Sequence, residues 1–137
     1  MIVISQDCDL LWDWTARQQV PFDEFAPSLI PHLLLCDLYE EGQLRGSQEI
    51  KSDIWRRIRA NQDERYHHLS AATVGESSLN LPDLYIDYKK IYGLPTANLY
   101  MGIGALSIAR LAVMPPIYLH DFIHRFFAFQ SRVAVPE

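Results

Sequence analysis

The chain has 137 residues, a formal net charge of −5 and a composition that is 49% apolar, 21% charged and 12% aromatic. This length suits one globular domain, and we expect residues 1–137 to form a single one. The acidic balance argues against a protein whose whole surface binds phosphates, although it leaves room for a local basic patch. The 6 Phe, 7 Tyr and 3 Trp residues supply enough large side chains for a core without disulfides.

We expect neither a signal peptide nor a membrane span. Residues 1–7 lack the basic segment that precedes the apolar run of a signal peptide. The longest apolar run, 99–109, ends at Arg110 and falls short of the ~18–20 residues that a spanning helix needs. Cys8 and Cys36 are the two cysteines, and we interpret them as reduced thiols. These features predict a cytoplasmic protein without membrane contact.

The first third of the chain is predicted to hold two strands. Residues 2–5 are short and largely β-branched, so they predict a buried strand that ends in the acidic turn 6–9. Residues 10–19 favour one or two helical turns, and three prolines make the stretch that follows irregular. Residues 32–39 have the apolar character and the length of a central strand.

Two amphipathic helices are predicted from apolar residues at helical spacing. Isoleucine recurs at every fourth position from Ile50 to Ile58, which predicts a helix over about 48–61. Pro115-Pro116 sets a helix start, and the apolar residues that follow occupy one helical face. The second helix is therefore predicted over about 116–131.

The remaining segments predict further strands. Segments 65–69 and 84–88 are aromatic-rich and lie on either side of a Gly/Ser/Asn linker at 75–80, so we expect them to pair antiparallel. Residues 106–113 predict a strand, with a helix as the competing interpretation. Because strands and helices do not alternate regularly, a doubly wound sheet is disfavoured. We expect an α+β fold in which a small mixed or barrel-like sheet packs against the two main helices.

Two carboxylates, Asp7 and Asp9, follow the first predicted strand. On an extended backbone both point to the same side, and carboxylate oxygens suit Mg²⁺ or Mn²⁺. Over residues 2–9 this pattern resembles the nucleophile motif of haloacid dehalogenase-like phosphatases, in which the first Asp attacks phosphorus and the second acts as acid and base. Leu11 stands where that motif has Thr or Val. We favour a turn in which Asp side chains cap backbone amides.

A second acidic group lies at the strand predicted over 84–88. Asp83, Asp87 and Lys89 resemble the signature of the PD-(D/E)xK nucleases, in which two acids hold a metal and a lysine polarises water, although only three residues separate these acids. The alternative function is thus a Mg²⁺- or Mn²⁺-dependent phosphoesterase or nuclease. Its catalytic residues would be Asp7, Asp9, Asp87 and Lys89, and its metal ligands Asp7, Asp9, Asp83 and Asp87.

Cysteine and histidine give two weaker indications of chemistry. Cys8 lies between carboxylates, which disfavour the thiolate that a cysteine nucleophile needs. His120 and His124 share a helix face as a zinc-binding pair does, but Asp121 stands in place of the zincin Glu and no third ligand follows at family-like spacing. We interpret the two histidines as the polar edge of the helix.

A basic cluster lies on the predicted middle helix, where Arg56, Arg57 and Arg59 share the exposed side and Arg65 extends them. Such a face can track phosphates, or it can pair with acidic residues of the same helix. Because the net charge is −5, we favour internal pairing or a docking face for an acidic protein. Nucleic acid binding through this patch is the alternative.

The opening residues 3–10, VISQDCDL, resemble the start of a group of bacterial and mobile-element proteins that begin with a Ser-Gln-x-Cys-Asp strand motif. Similar segments run through most of the chain, namely Asp53-Ile54-Trp55, Arg65-Tyr66-His67, Leu84-Tyr85-Ile86-Asp87 and 125–133. The resemblance implies a shared compact domain and a bacterial or phage setting. It transfers no activity and no catalytic residue.

The leading hypothesis is a non-enzymatic interaction or regulatory domain that binds a protein partner and needs no cofactor. The sequence shows no cofactor loop, no complete catalytic triad and no complete metal set, whereas its Tyr, Trp and Arg residues suit an interface. The predicted partner-binding residues are Arg56, Arg57, Arg59 and Arg65.

Overall fold

The computed structural model describes residues 1–5, 7–47, 49–74 and 79–132, except for the side chain of Asp7. The helices in these ranges are α1 (Asp7–Arg17), α2 (Glu41–Ser47), α3 (Ser52–Arg59), α4 (Thr96–Gly104) and α5 (Pro116–Gln130). The strands are β1 (Ile2–Val3), β2 (His32–Glu40), β3 (Tyr66–Leu69), β4 (Ala72–Val74), β5 (Leu79–Leu81) and β6 (Leu84–Pro95). None of the described helices has the length and apolar character needed to cross a membrane.

Four strands form a curled antiparallel sheet in the order β1-β2-β6-β3, and β4 pairs with β5 separately. In the β3–β6 ladder Tyr66 lies opposite Asp87, and Leu69 lies opposite Leu84. The predicted pairing of 65–69 with 84–88 is therefore confirmed. The helices and the half-barrel sheet together confirm the α+β class.

The chain divides into two compact units. Unit 1 comprises residues 1–2, 36–91 and 110–137, and unit 2 comprises residues 3–35 and 92–109. The expectation of a single domain over 1–137 stays a prediction. Each unit is described by itself below.

In unit 1, apolar residues cover both faces of the β3–β6 ladder. On one face Tyr85 of β6 lies 4.8 Å from Trp55 of α3, between ring centroids, within a core that includes Ile58 and Leu44. On the other face Tyr88 of β6 packs against three rings of α5, those of Phe122, Phe126 and Phe129, at 5.8 to 6.0 Å. The two tyrosines face opposite ways because side chains alternate along a strand.

The first two predicted elements that the structure corrects lie before residue 62. The predicted strand 2–5 is shorter, as β1 covers only Ile2–Val3, and residues 7–9 of the predicted acidic turn belong to α1, while residue 6 lies outside the described residues. Acidic residues favour the positive end of a helix dipole, so the aspartates suit a helix start as well as a turn. The predicted helix 48–61 is shorter, because α3 begins only at Ser52. Ile50 still packs against the core, from the link before that helix.

The strand predicted over 106–113 is also wrong. Helix α4 ends at Gly104, and the chain turns back so that the Ser107 and Ile108 N–H groups donate to the Gly102 carbonyl at 2.9 and 3.1 Å. A Cβ on residue 102 would lie 2.4 Å from Cδ1 of Ile108, so the Ile108 side chain would have to shift if Gly102 were replaced. The helix predicted over 116–131 is confirmed as α5.

Candidate functional site

Asp87, a predicted catalytic residue and metal ligand, is held by an arginine in unit 1. Its carboxylate is 1% exposed and accepts hydrogen bonds from Arg65 Nε and Nη2 at 2.8 and 2.7 Å. The Lys89 backbone N–H also donates to it, at 3.0 Å. These bonds use most of the lone-pair positions that a carboxylate offers to a metal. The same contact with Asp87 raises the pKa of the Arg65 guanidinium.

Asp83 belongs to a different network in unit 1. Its Oδ1 accepts hydrogen bonds from the Ala71 N–H at 2.9 Å and from His68 Nε2 at 3.1 Å, and these bonds, the Ala71 bond first, lower the pKa of Asp83. The other nitrogen of His68, Nδ1, faces the Arg59 carbonyl oxygen at 2.9 Å. The ring of His68 stacks on Tyr85 with centroids 4.9 Å apart. Asp83 therefore orients His68 and closes the turn before β6.

The remaining residues of the predicted metal site lie elsewhere on the chain. Asp9 is exposed on α1 of unit 2, and the side chain of Asp7 lies outside the described residues. Helix α1 removes the extended backbone on which a shared side for the two carboxylates depended. Among the side chains that the structure describes, no three His, Cys, Asp or Glu residues are placed to hold a metal ion together.

The predicted arginine patch is divided between two environments. Arg56, Arg57 and Arg59 are exposed in the last turn of α3, where positive charge interacts favourably with the helix dipole. Arg57 Nη2 donates to the Gln62 carbonyl at 3.3 Å. Arg65 lies beyond the helix and is engaged by Asp87. Partner binding by these arginines stays a prediction.

The cysteine and histidine candidates occupy unremarkable positions. His120 and His124 are both exposed on α5, and Cys8 is exposed on α1. Cys36 is fully buried, and burial raises the pKa of its thiol to about 11. The buried thiol is therefore protonated at neutral pH and is not a nucleophile.

His67 lies in a buried cluster of unit 1. Its ring packs against Tyr88 and Phe122 at 6.1 and 5.7 Å, and its Nδ1 accepts a hydrogen bond from Arg125 Nη1 at 2.9 Å. Arg125 Nη2 donates to the carbonyl oxygens of Asp63 and Tyr66. Burial, reinforced by Arg125, lowers the pKa of His67 to about 4. The ring is therefore neutral at pH 7 and ties β3 to α5.

Helix α1 of unit 2 carries one of its acidic residues, Asp13, inward together with Arg17. Asp13 is fully buried, and its carboxylate accepts hydrogen bonds from Arg17 at 2.8 and 3.1 Å and from the Ile30 N–H at 2.6 Å. Burial alone would raise the pKa of Asp13, but these hydrogen bonds outweigh it and hold that pKa below its ordinary value. The Asp13–Arg17 pair thus fixes which side of the helix faces the interior of unit 2.

Large apolar side chains of α1 and of the loop after it are exposed, and Trp12 and Trp14 lie about 200° apart around the helix because they are two residues apart. Leu11 and Trp12 are each 64% exposed and Trp14 is 45% exposed, while Phe22 and Phe25 in the following loop are 51% and 84% exposed. We call these five side chains the aromatic face. At these exposed fractions, its four rings leave roughly 350–600 Å² of aromatic surface in water, given 150–250 Å² for a whole ring.

Contacts within unit 2 position part of the aromatic face. The Trp14 ring meets the Tyr100 ring edge-on with centroids 4.8 Å apart. The Tyr100 hydroxyl donates to the Leu10 carbonyl at 3.2 Å, and the Arg17 guanidinium lies 5.8 Å from the centre of the Tyr100 ring. Trp14 is therefore held in place while almost half of its surface stays in water.

No protein-family model, no curated protein and no solved structure matches the chain. Its function is therefore inferred from its own residues and their geometry.

Proposed function

We propose that the chain is a non-enzymatic, protein-binding domain and that the aromatic face is its binding surface. The inverted orientation of α1 carries this proposal, because the helix buries Asp13 and leaves Leu11 and Trp12 mostly in water. Trp residues are among those that contribute most to the free energy of protein association. The proposed setting is the cytoplasm, in a bacterial or phage-associated system, as the opening sequence motif suggests.

The energetics of α1 support a binding role. A large apolar side chain gains about 1.5–3 kcal/mol when it leaves water, and the outward side chains of α1 forgo most of this gain in the free chain. The buried ion pair holds the helix in this orientation, and Tyr100 holds Trp14. A surface that is already ordered loses less side-chain entropy when a partner binds.

A site-specific photocrosslinker tests the proposed surface. With a benzoylphenyl side chain in place of Trp12, we expect one discrete adduct with a protein of the host cell, whose identity mass spectrometry then gives. Binding of that purified protein should weaken about 30-fold in Trp14→Ala, because truncating a central aromatic residue costs about 2 kcal/mol or more.

Two matched positions provide the controls for the crosslink. The same group at Arg56, in the predicted arginine patch, and at exposed Lys90 should give no comparable adduct. An adduct from position 56 without one from position 12 would assign the interface to the arginines instead. The absence of a discrete adduct at position 12 would contradict the proposal.

A metal titration separates this proposal from the alternative Mg²⁺- or Mn²⁺-dependent phosphoesterase or nuclease. A ligand that binds only the folded chain raises its melting temperature. Because Arg65 already binds both oxygens of Asp87, we expect neither ion to raise the melting temperature at millimolar concentration. A rise that disappears in Asp87→Asn or in Asp7→Asn/Asp9→Asn, but persists in the exposed-site control Asp53→Asn, would favour the enzyme.

A further inference from the structure

We infer that the aromatic face receives a basic amphipathic segment of another protein. The apolar side chains of that partner would cover Trp12 and Leu11, and its Lys or Arg residues would meet the exposed acidic groups of residues 8–25 in this chain. The inference rests on the proposed function and specifies the chemistry of the partner. Its basis is the distribution of charge around the aromatic face.

The charges that residues 8–25 present to solvent are acidic. Asp9, Asp23 and Glu24 are exposed, and the last two lie between Phe22 and Phe25 in the chain. Arg17 is the one cation in this segment, all of which the structure describes, and it is turned inward onto Asp13. Residues 8–25 therefore expose both negatively charged side chains and aromatic rings to solvent.

Exposed aromatic rings next to carboxylates favour a ligand that has both apolar side chains and positive charge. Exposed indole and phenyl faces attract Lys and Arg through their ring quadrupoles, and nearby carboxylates add attraction over a Debye length of about 8 Å at physiological salt. An amphipathic helix lays apolar side chains at positions i, i+3, i+4 and i+7 against such a surface. Its flanking Lys or Arg residues would then face Asp9, Asp23 and Glu24.

The same charges disfavour the other occupants of an apolar surface. Nucleic acids and anionic membranes carry negative charge at their surfaces, and both would be repelled by this segment. In a two-fold dimer built on this surface, the acidic segment would face its own copy. A basic protein segment is therefore the occupant that the observed charges favour.

Two synthetic peptides test this inference on the full chain. Both carry the same leucines at helical spacing, and their polar positions are all Lys in one peptide and all Glu in the other. By fluorescence anisotropy we expect the Lys peptide to bind at least 10-fold more tightly than the Glu peptide and to weaken as salt rises. Trp12→Ala should abolish its binding, and Asp23→Asn/Glu24→Gln should weaken it several-fold.

A matched double variant shows whether the attraction of the Lys peptide depends on the acids near the aromatic face or on the overall charge of the chain. Glu49→Gln/Asp53→Asn removes two exposed acids of unit 1 and should leave binding of the Lys peptide unchanged. If this control weakens binding as much as Asp23→Asn/Glu24→Gln, the attraction reflects overall charge and the inference is overturned. The inference of a basic partner is also overturned if the Lys and Glu peptides bind equally tightly. That result would still support the proposed function, because the surface would then bind apolar segments regardless of their charge.

Other results separate this inference from the proposed function. If the crosslink at position 12 identifies a partner that binds through an acidic or uncharged segment, the proposed function stands and the basic partner is overturned. Sedimentation velocity that shows a dimer abolished by Trp12→Ala would assign the surface to a second copy. Binding to phosphatidylglycerol vesicles that is lost in Trp12→Ala would assign it to a membrane, and either outcome overturns the inference.

Discussion

Replacing Arg65 by methionine is expected to lower the free energy of unfolding by about 3 kcal/mol. The substitution leaves the carboxylate of Asp87 buried without its cation, and breaking a buried ion pair from one side typically costs 3–5 kcal/mol. The lower end of that range applies because 30% of the Arg65 side chain is in contact with water. Urea denaturation followed by circular dichroism at pH 7 measures the change.

The same substitution at Arg56 provides the control, because Arg56 is exposed on α3. We expect Arg56→Met to change stability by less than about 1 kcal/mol. The double variant Arg65→Met/Asp87→Asn should be more stable than Arg65→Met alone, since it no longer buries an unpaired charge. If the double variant is no more stable than the single one, the carboxylate of Asp87 is not the source of the loss.

Apolar periodicity predicted the elements of unit 1 that bury one side against the sheet. Helix α5 places Phe122 and Phe126 on its buried face, and the aromatic residues of β6 alternate between two covered faces. Both patterns are local, so a single sequence is sufficient to find them. The strand predicted over 106–113 was wrong because the chain there returns so that Ile108 packs against Gly102, which is a packing contact rather than a pattern.

The aromatic face was missed because α1 reverses the usual relation between polarity and burial. The burial of Asp13 depends on its hydrogen bonds with Arg17 and with the Ile30 N–H, and the second of these partners is 17 residues away in the sequence. Asp87 was misleading for a related reason. The sequence around a carboxylate two residues before a lysine is the same whether the carboxylate binds a metal or a distant arginine. Here the arginine is Arg65, which directly precedes β3 and is 22 residues from Asp87 in the sequence.

His67 and His68 show the same limit at adjacent positions. Neighbouring residues of β3 face opposite sides of the sheet, so His67 lies among the rings packed on α5 while His68 stacks on Tyr85 and contacts Asp83. The dipeptide itself carries no sign of this difference. A prediction about one of these histidines therefore needs a variant of that residue alone.

The chain is expected to lose about 3 kcal/mol of stability through His67 as the pH falls from 6.5 to 4. Burial lowers the pKa of His67 from 6.5 to about 4 in the folded chain, whereas the unfolded chain retains the ordinary value. Above pH 6.5 the ring is neutral in both states and the full stability is present. As the pH falls below 6.5, His67 becomes protonated in the unfolded state but stays neutral in the folded state. The free energy of unfolding therefore declines until the pH reaches about 4.

Urea denaturation at several pH values between 7 and 5, where most carboxylates are still ionised, measures this decline. His67→Asn keeps an oxygen near the Arg125 N–H but loses the ring contacts with Tyr88 and Phe122, so it should be less stable at pH 7. Because asparagine cannot titrate, the stability of this variant should also depend less steeply on pH. His124→Asn, a change at an exposed histidine of α5, should retain the slope of the unmodified chain. An unchanged slope in His67→Asn would mean that a group other than His67 takes up the proton.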